Sequence, residues 1–159
     1  MKLQPLIEAI NEASEDQMKQ EQAIKDFLYS FIKQGHYFVV SPWPKKIDET
    51  GMDLRPYFGL HLDKYPTYYV FTDSKIAYVF AQHYGLCLAN GEALTIKMPT
   101  ENFIERLKHY QEQGVELVMF DEGESYFAHT IPYIVNVLEE IGTKNTKNTW
   151  AKYLKKMFT

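Results

Sequence analysis

Val115-Glu116-Leu117-Val118-Met119-Phe120, with Asp121-Glu122-Gly123 directly behind it, is the stretch on which the fold turns. Val115 to Phe120 is an apolar run of strand length, interrupted only by Glu116. Too short for a helix and apolar on successive positions, it predicts a strand buried on both faces, as in the interior of a sheet. The acids and glycine of Asp121 to Glu124 stop it abruptly.

Working outward towards the N-terminus, Gly114 closes a helix whose apolar face is Phe103, Ile104, Leu107 and Tyr110, with Thr100 as its cap. Ala93 to Met98 reads as a strand ended by Pro99 and joined to Leu86–Ala89 through the tight-turn dipeptide Asn90-Gly91. Thr67 to Phe71 reads as a strand. Thr72-Asp73-Ser74 then offers caps for a helix bearing Ile76, Ala77, Val79 and Phe80, closed by Gly85. Tyr57 to Leu62 is a further strand, with a turn at Tyr65-Pro66, and Lys45 to Pro56 is a loop. His36 to Val40 is aromatic and β-branched, and the prolines at 42 and 44 end it. The N-terminal third is helical: Leu6, Ile7 and Ile10 form one stripe, and Ser14 with Gln17 has capping-box spacing. Ile24, Phe27, Leu28, Phe31 and Ile32 form a second stripe, closed by Gly35.

Towards the C-terminus, Tyr126 to Ala128 is a short strand, and Ile131, Ile134, Val135, Leu138 and Ile141 make a helical stripe up to Gly142. The expected fold class is therefore α/β (α+β): a mixed sheet covered by helices, with helical N-terminal and C-terminal segments. Residues 1–142 form one domain, and 143–159 a linker and basic amphipathic helix. In that last helix Trp150, Tyr153, Leu154, Met157 and Phe158 share one face, and Lys152, Lys155 and Lys156 cover the other.

Composition narrows the function classes. The 159 residues include 45% hydrophobic and 15% aromatic side chains, chiefly 12 Tyr and 10 Phe, enough to build an ordered core. A net charge of -4 argues against general nucleic-acid binding, which needs concentrated Lys and Arg. The single cysteine, Cys87, allows neither an internal disulfide nor a Cys-rich zinc site, and its Leu86 and Leu88 neighbours give it the setting of a small buried hydrophobe. Glu8 interrupts the first apolar residues, so no secretory leader is read and a cytoplasmic location is expected. Phosphate-loop, dinucleotide, zincin and nucleophile-elbow motifs have no match in the sequence.

Two segments carry a resemblance. The first is Tyr69-Val70-Phe71-Thr72-Asp73 followed by a helix ending near Gly85. The second is Lys97-Met98-Pro99-Thr100, a helix, and then Gly114 to Gly123. Together, over residues 67–123, they resemble the N-terminal domain of the SseB-type (enhanced serine sensitivity) bacterial proteins. That family pattern often has Asn-Pro-Gly where this chain has Asp121-Glu122-Gly123. The resemblance implies a mixed α/β fold in a bacterial cytosol and brings no catalytic residue.

Two candidate sites follow from the residues. Thr72 and Asp73 end one strand while Asp121 and Glu122 end another. If those strands are parallel neighbours, all four residues meet at the carboxyl edge of the sheet, where open α/β sheets bind ligands. His61 is the candidate acid/base for that crevice. It shares a strand face with Asp63 at a spacing that suits a metal, but His83, His109 and His129 complete no ligand set, so no metal or cofactor is expected. The bland alternative is that Asp73 caps a helix and the other acids solvate a turn. The second site is the C-terminal helix face, which docks on a partner, a second copy or a membrane surface, or packs on its own domain. The expected function is a non-enzymatic accessory protein that engages another protein or itself. The alternative is a small-molecule binder or enzyme using the acidic strand-end crevice.

Overall fold

The computed structural model describes residues 3–42, 56–87 and 90–142. The proposed docking face at Trp150, Tyr153, Leu154, Met157 and Phe158 therefore lies outside the described residues.

Helix α1 (Gln4–Glu12) packs against α2 (Gln17–Gln34), which leads into strand β1 (His36–Ser41). Strands β2 (Phe58–His61) and β3 (Tyr65–Val70) form a hairpin, followed by α3 (Ser74–His83), β4 (Leu94–Pro99) and α4 (Phe103–Glu112). Strands β5 (Leu117–Phe120) and β6 (Phe127–Thr130) follow, and then helix α5 at 131–142.

Four strands form a mixed sheet in the order β2-β3-β5-β6, with β3 and β5 parallel and the other pairs antiparallel. The expected interior strand is thus β5, flanked on both sides. Its side chains alternate between two cores. Val118 and Phe120 join the cluster beneath α1, α2, α4 and α5, while Met119 joins the cluster beneath α3. Strand β3 divides the same way, with Tyr68 and Val70 on one face and Tyr69 and Phe71 on the other. Burial on both faces is why both segments read as unbroken apolar runs.

The larger core is held by aromatic rings. Phe27, Phe31, Phe120 and Phe127 meet at centroid separations of 4.9–5.9 Å, mostly edge-on. Ion pairs tie α5 to its neighbours at the surface: Lys25 to Glu140 at 3.3 Å and Lys108 to Glu139 at 2.8 Å.

Several local expectations are corrected. The α2 cap is Asp16, whose side chain accepts from the Lys19 amide, because Ser14 sits in the turn before it. Tyr65 and Pro66 lie inside β3, paired with His61 and Leu60, and the turn falls earlier. Leu62 and Asp63 both take left-handed backbone there, at φ 54° and 56°. Strand β4 pairs antiparallel with β1 along its whole length, and Cys87 meets Ala93 in an antiparallel bridge across the Asn90-Gly91 turn; residues 88 and 89 of the expected hairpin lie outside the described residues. Asn102, left-handed at φ 63°, begins α4. Thr100 turns its hydroxyl to the Ile32 carbonyl instead.

The β1–β4 pair is continuous with the larger sheet. Phe38 and Phe71 exchange backbone hydrogen bonds of 2.8 and 2.9 Å, and the Tyr57 amide donates to the Val40 carbonyl at 2.7 Å. Strands β2 and β1 thus lie end to end along the same side of β3.

Candidate functional site

Because β3 and β5 run parallel in register, Val70 opposite Phe120, both chains leave the sheet at one edge. Thr72, Asp73, Asp121 and Glu122 accordingly gather at that edge, as their spacing predicts. Their neighbours decide what they can do.

Asp121 is fully buried and left-handed, at φ 58°. Its Oδ1 accepts the Thr72 amide at 2.7 Å, and its Oδ2 accepts the Thr72 hydroxyl at 2.6 Å and Gln4 Nε2 at 2.8 Å. Burial pushes the carboxyl above the usual aspartate range; the Thr72 and Gln4 bonds oppose the rise and the Asp73 charge adds to it. Three donors converge on the two oxygens, but burial outweighs them in setting the balance between the acid and its anion.

Gln4 is the residue that sequence reasoning missed. From the first turn of α1, its Nε2 also donates to the Ser125 carbonyl at 3.1 Å, and its Oε1 accepts the Ser125 amide at 3.1 Å. Both amide hydrogens and the amide oxygen are thereby paired. No local signal marks it, because its partners lie more than a hundred residues away. Leu3, Ile7 and Ile10, all buried, seat the helix that carries it.

Asp73 is exposed and caps α3, its Oδ1 accepting the Lys75 amide at 2.7 Å. Glu122 accepts the Tyr84 hydroxyl at 3.0 Å, and its second oxygen is buried without a hydrogen-bond partner. Beside it Tyr57, Tyr69, Phe80 and Tyr84 pack ring on ring, with neighbouring centroids 4.5–6.0 Å apart. Desolvation, reinforced by the Glu122 charge, holds the Tyr69 phenol far above its ordinary value. Gly59 makes this packing possible: a Cβ there would come within 2.8 Å of the Tyr69 ring and 3.0 Å of the Tyr57 hydroxyl.

A cleft of about 850 Å³ opens at this edge between the ends of α1 and α2 and the start of α3. Leu3, Phe38 and Ile76 give it apolar walls, and Thr72 and Asp73 belong to its lining. Its charge is mixed rather than acidic. Lys33, Lys75 and His36 stand with Asp73 and Glu124, while Asp121 is sealed away from solvent. His61 takes no part: it ends β2, outside the cleft lining. Nor does it share a strand face with Asp63, which lies in the left-handed turn. Among the described residues no group of three or more His, Cys, Asp and Glu side chains is placed to hold a metal.

The other histidines and the cysteine have local roles. His129 stacks on Tyr133 and accepts the Thr130 amide at 2.8 Å through Nδ1. His109 pairs with Gln113 at the surface, and Cys87 is half-buried against the α3 core.

Apolar residues also stand exposed on one strand. Phe58 and Leu60 point to the same face of β2, at 37% and 59% exposure, and Leu62 follows in the turn at 75%. Among the described residues no helix is long and apolar enough to cross a membrane. The chain matches no protein-family model, and comparison with curated proteins and with solved structures likewise yields no match.

Proposed function

We propose that this chain is a non-enzymatic binding protein, a cytosolic accessory protein whose work is to engage another protein. The observation that carries the reading is the fate of the strand-end acids. Asp121 is sealed and fully hydrogen-bonded by Thr72 and Gln4, and Asp73 caps a helix. General acid–base catalysis needs a titrating group within reach of substrate, and these two carboxylates are engaged instead by Thr72 and Gln4 and by the Lys75 amide. The exposed Phe58, Leu60 and Leu62 supply the complementary feature, an apolar ridge ending in a residue held in an unfavourable backbone conformation. Strain of that kind persists where the surrounding structure enforces it and gathers at functional sites. The kinship with SseB-type proteins, read from residues 67–123, belongs to the same proposal.

The test is a Leu60→Asp/Leu62→Asp variant of the full chain, compared with the parent in affinity capture from native lysate and in sedimentation. Loss of a specific partner, or of self-association, with unchanged circular dichroism supports the reading. An identical set of partners and the same mass in solution overturns it.

The open cleft favours a second reading, a small-molecule site lined by Thr72 and Asp73. A ligand screen followed by thermal shift distinguishes the two. A compound that stabilises the parent but not a Ser74→Trp variant, which fills the cleft mouth, moves the assignment to the cleft.

A further inference from the structure

We propose that Asn90 is a self-modifying site, converting without an enzyme into aspartate and isoaspartate. Asn90-Gly91 is the sole Asn-Gly dipeptide in the sequence. It forms the exposed turn that leads into β4. The Asn90 side-chain oxygen accepts the Glu92 amide at 3.0 Å, the geometry of an Asx-turn. This folds the side chain back along the main chain, over the Gly91 residue. The same hydrogen bond draws electron density from Cγ and makes it a better electrophile, as donors to a carbonyl oxygen do at acyl-transfer sites. Gly91, at φ 85°, has no side chain to shield its nitrogen, and the space where a Cβ would stand is empty to 4 Å. Nucleophile and electrophile are thus one bond-forming step apart within a single turn.

The chemistry balances with water as the only co-reactant. The Gly91 nitrogen, losing its proton to water or base, bonds to Cγ. The Cγ–Nδ2 bond breaks, and Nδ2 leaves as ammonia with a proton from solvent. The five-membered succinimide then adds water at either carbonyl. Opening at one side gives aspartate, and opening at the other gives isoaspartate, whose main chain runs through the former side chain. Each product adds one negative charge.

The other asparagines lack these features. Asn11, Asn102 and Asn136 precede Glu12, Phe103 and Val137, while Asn145 and Asn148 precede threonines, so each following nitrogen is shielded by a side chain. Conversion at Asn90 has a defined structural effect. The Tyr78 hydroxyl donates to the Gly91 carbonyl at 2.8 Å and ties the turn to α3. The extra main-chain methylene of isoaspartate displaces that carbonyl and breaks the tie.

The experiment holds the full chain at mildly alkaline pH and follows intact mass, released ammonia and peptide maps. Isoaspartate is read by enzymatic methyl transfer to its free α-carboxylate. The expected result is a gain of about one dalton, as –NH2 becomes –OH, confined to residue 90 and faster at higher pH. Asn90→Gln, which would need a six-membered ring, abolishes it over the same interval. Gly91→Ala slows it several-fold. Modification at another asparagine, an equal rate in Gly91→Ala, or an unchanged native chain under conditions where the urea-unfolded chain reacts each overturns the proposal.

Discussion

Replacing Asp121 by alanine removes an acceptor that serves three donors at once. The Thr72 amide, the Thr72 hydroxyl and Gln4 Nε2 would all remain in place, and water does not reach the position they point to. Hydrogen bonds to a charged group contribute about 1.5–3 kcal/mol each, so the gross loss is about 5–9 kcal/mol. Burial of the carboxylate itself carries a penalty that the substitution relieves, which is why its pKa stands above the ordinary value despite the three bonds. The net expectation is a destabilisation of about 3–5 kcal/mol, from three buried donors left without an acceptor less the relieved burial of the carboxyl. With a urea slope of about 2 kcal/mol per molar, the unfolding midpoint falls by about 2 M. The pH dependence has a fixed sign. A carboxyl whose folded pKa is raised contributes stability that is complete below its unfolded value of 3.8 and is lost as pH rises through the folded value. The gap between parent and Asp121→Ala is therefore widest in acid and narrows towards neutrality. A double-mutant cycle with Gln4→Ala should return a coupling of at least about 0.5 kcal/mol. A midpoint that moves by less than about 0.5 M, or a cycle that closes to zero, refutes the clamp.

Further predictions follow from the same packing. Gly59→Ala forces its Cβ into the Tyr57–Tyr69 pair and should cost about 1–3 kcal/mol in urea unfolding. Leu62→Gly relieves the left-handed leucine and should raise stability by about 0.5–1 kcal/mol while removing the tip of the apolar ridge, so that stability and partner capture move in opposite directions. Burial holds the phenols of Tyr37, Tyr68, Tyr69 and Tyr110 above their ordinary value of 10.0, so their contribution to stability is complete below that pH and is lost as pH climbs above it. Phenolate absorbance should therefore rise for the exposed tyrosines first and then in one cooperative step together with loss of the circular dichroism signal. His129, lowered by burial, adds stability that is complete above its ordinary value of 6.5 and lost as pH falls through its folded value, a slope that His129→Gln should remove.

Much of this fold is legible along the chain because its decisive signals are local. An apolar run with an acidic stop marks β5. Asp73 ahead of a helical stripe is a cap, and Gly35 closes α2 in the left-handed conformation, at φ 85°. The misread positions share one cause, a competing candidate two or three residues away: Asp16 for Ser14, Leu62-Asp63 for Tyr65-Pro66, and Asn102 for Thr100. Pro66 looks like a turn, yet its strand begins at Tyr65, and near a strand end a proline loses little from the ladder. The real turn uses Leu62 and Asp63 in left-handed backbone, which aspartate adopts readily and leucine seldom does. The full-length ladder of β4 on β1 has no local mark, since its paired residues lie more than fifty positions apart. For the site, the meeting of the strand ends is legible, since it requires only two parallel neighbours. The sealing of Asp121 is not, because Gln4 has no feature of its own to separate it from any surface glutamine.

That amide also has a bearing on how the chain is made. Gln4 leaves the ribosome more than a hundred residues before Asp121 and Ser125, which satisfy it. Contacts so far apart in sequence form last, after most of the loop-closure entropy has been surrendered. Until Asp121 and Ser125 emerge, α1 has only α2 to pack on, and its side-chain amide stays hydrated. The docking of that amide on Asp121 and Ser125 is therefore a late event, and it closes the site that the strand ends have already assembled.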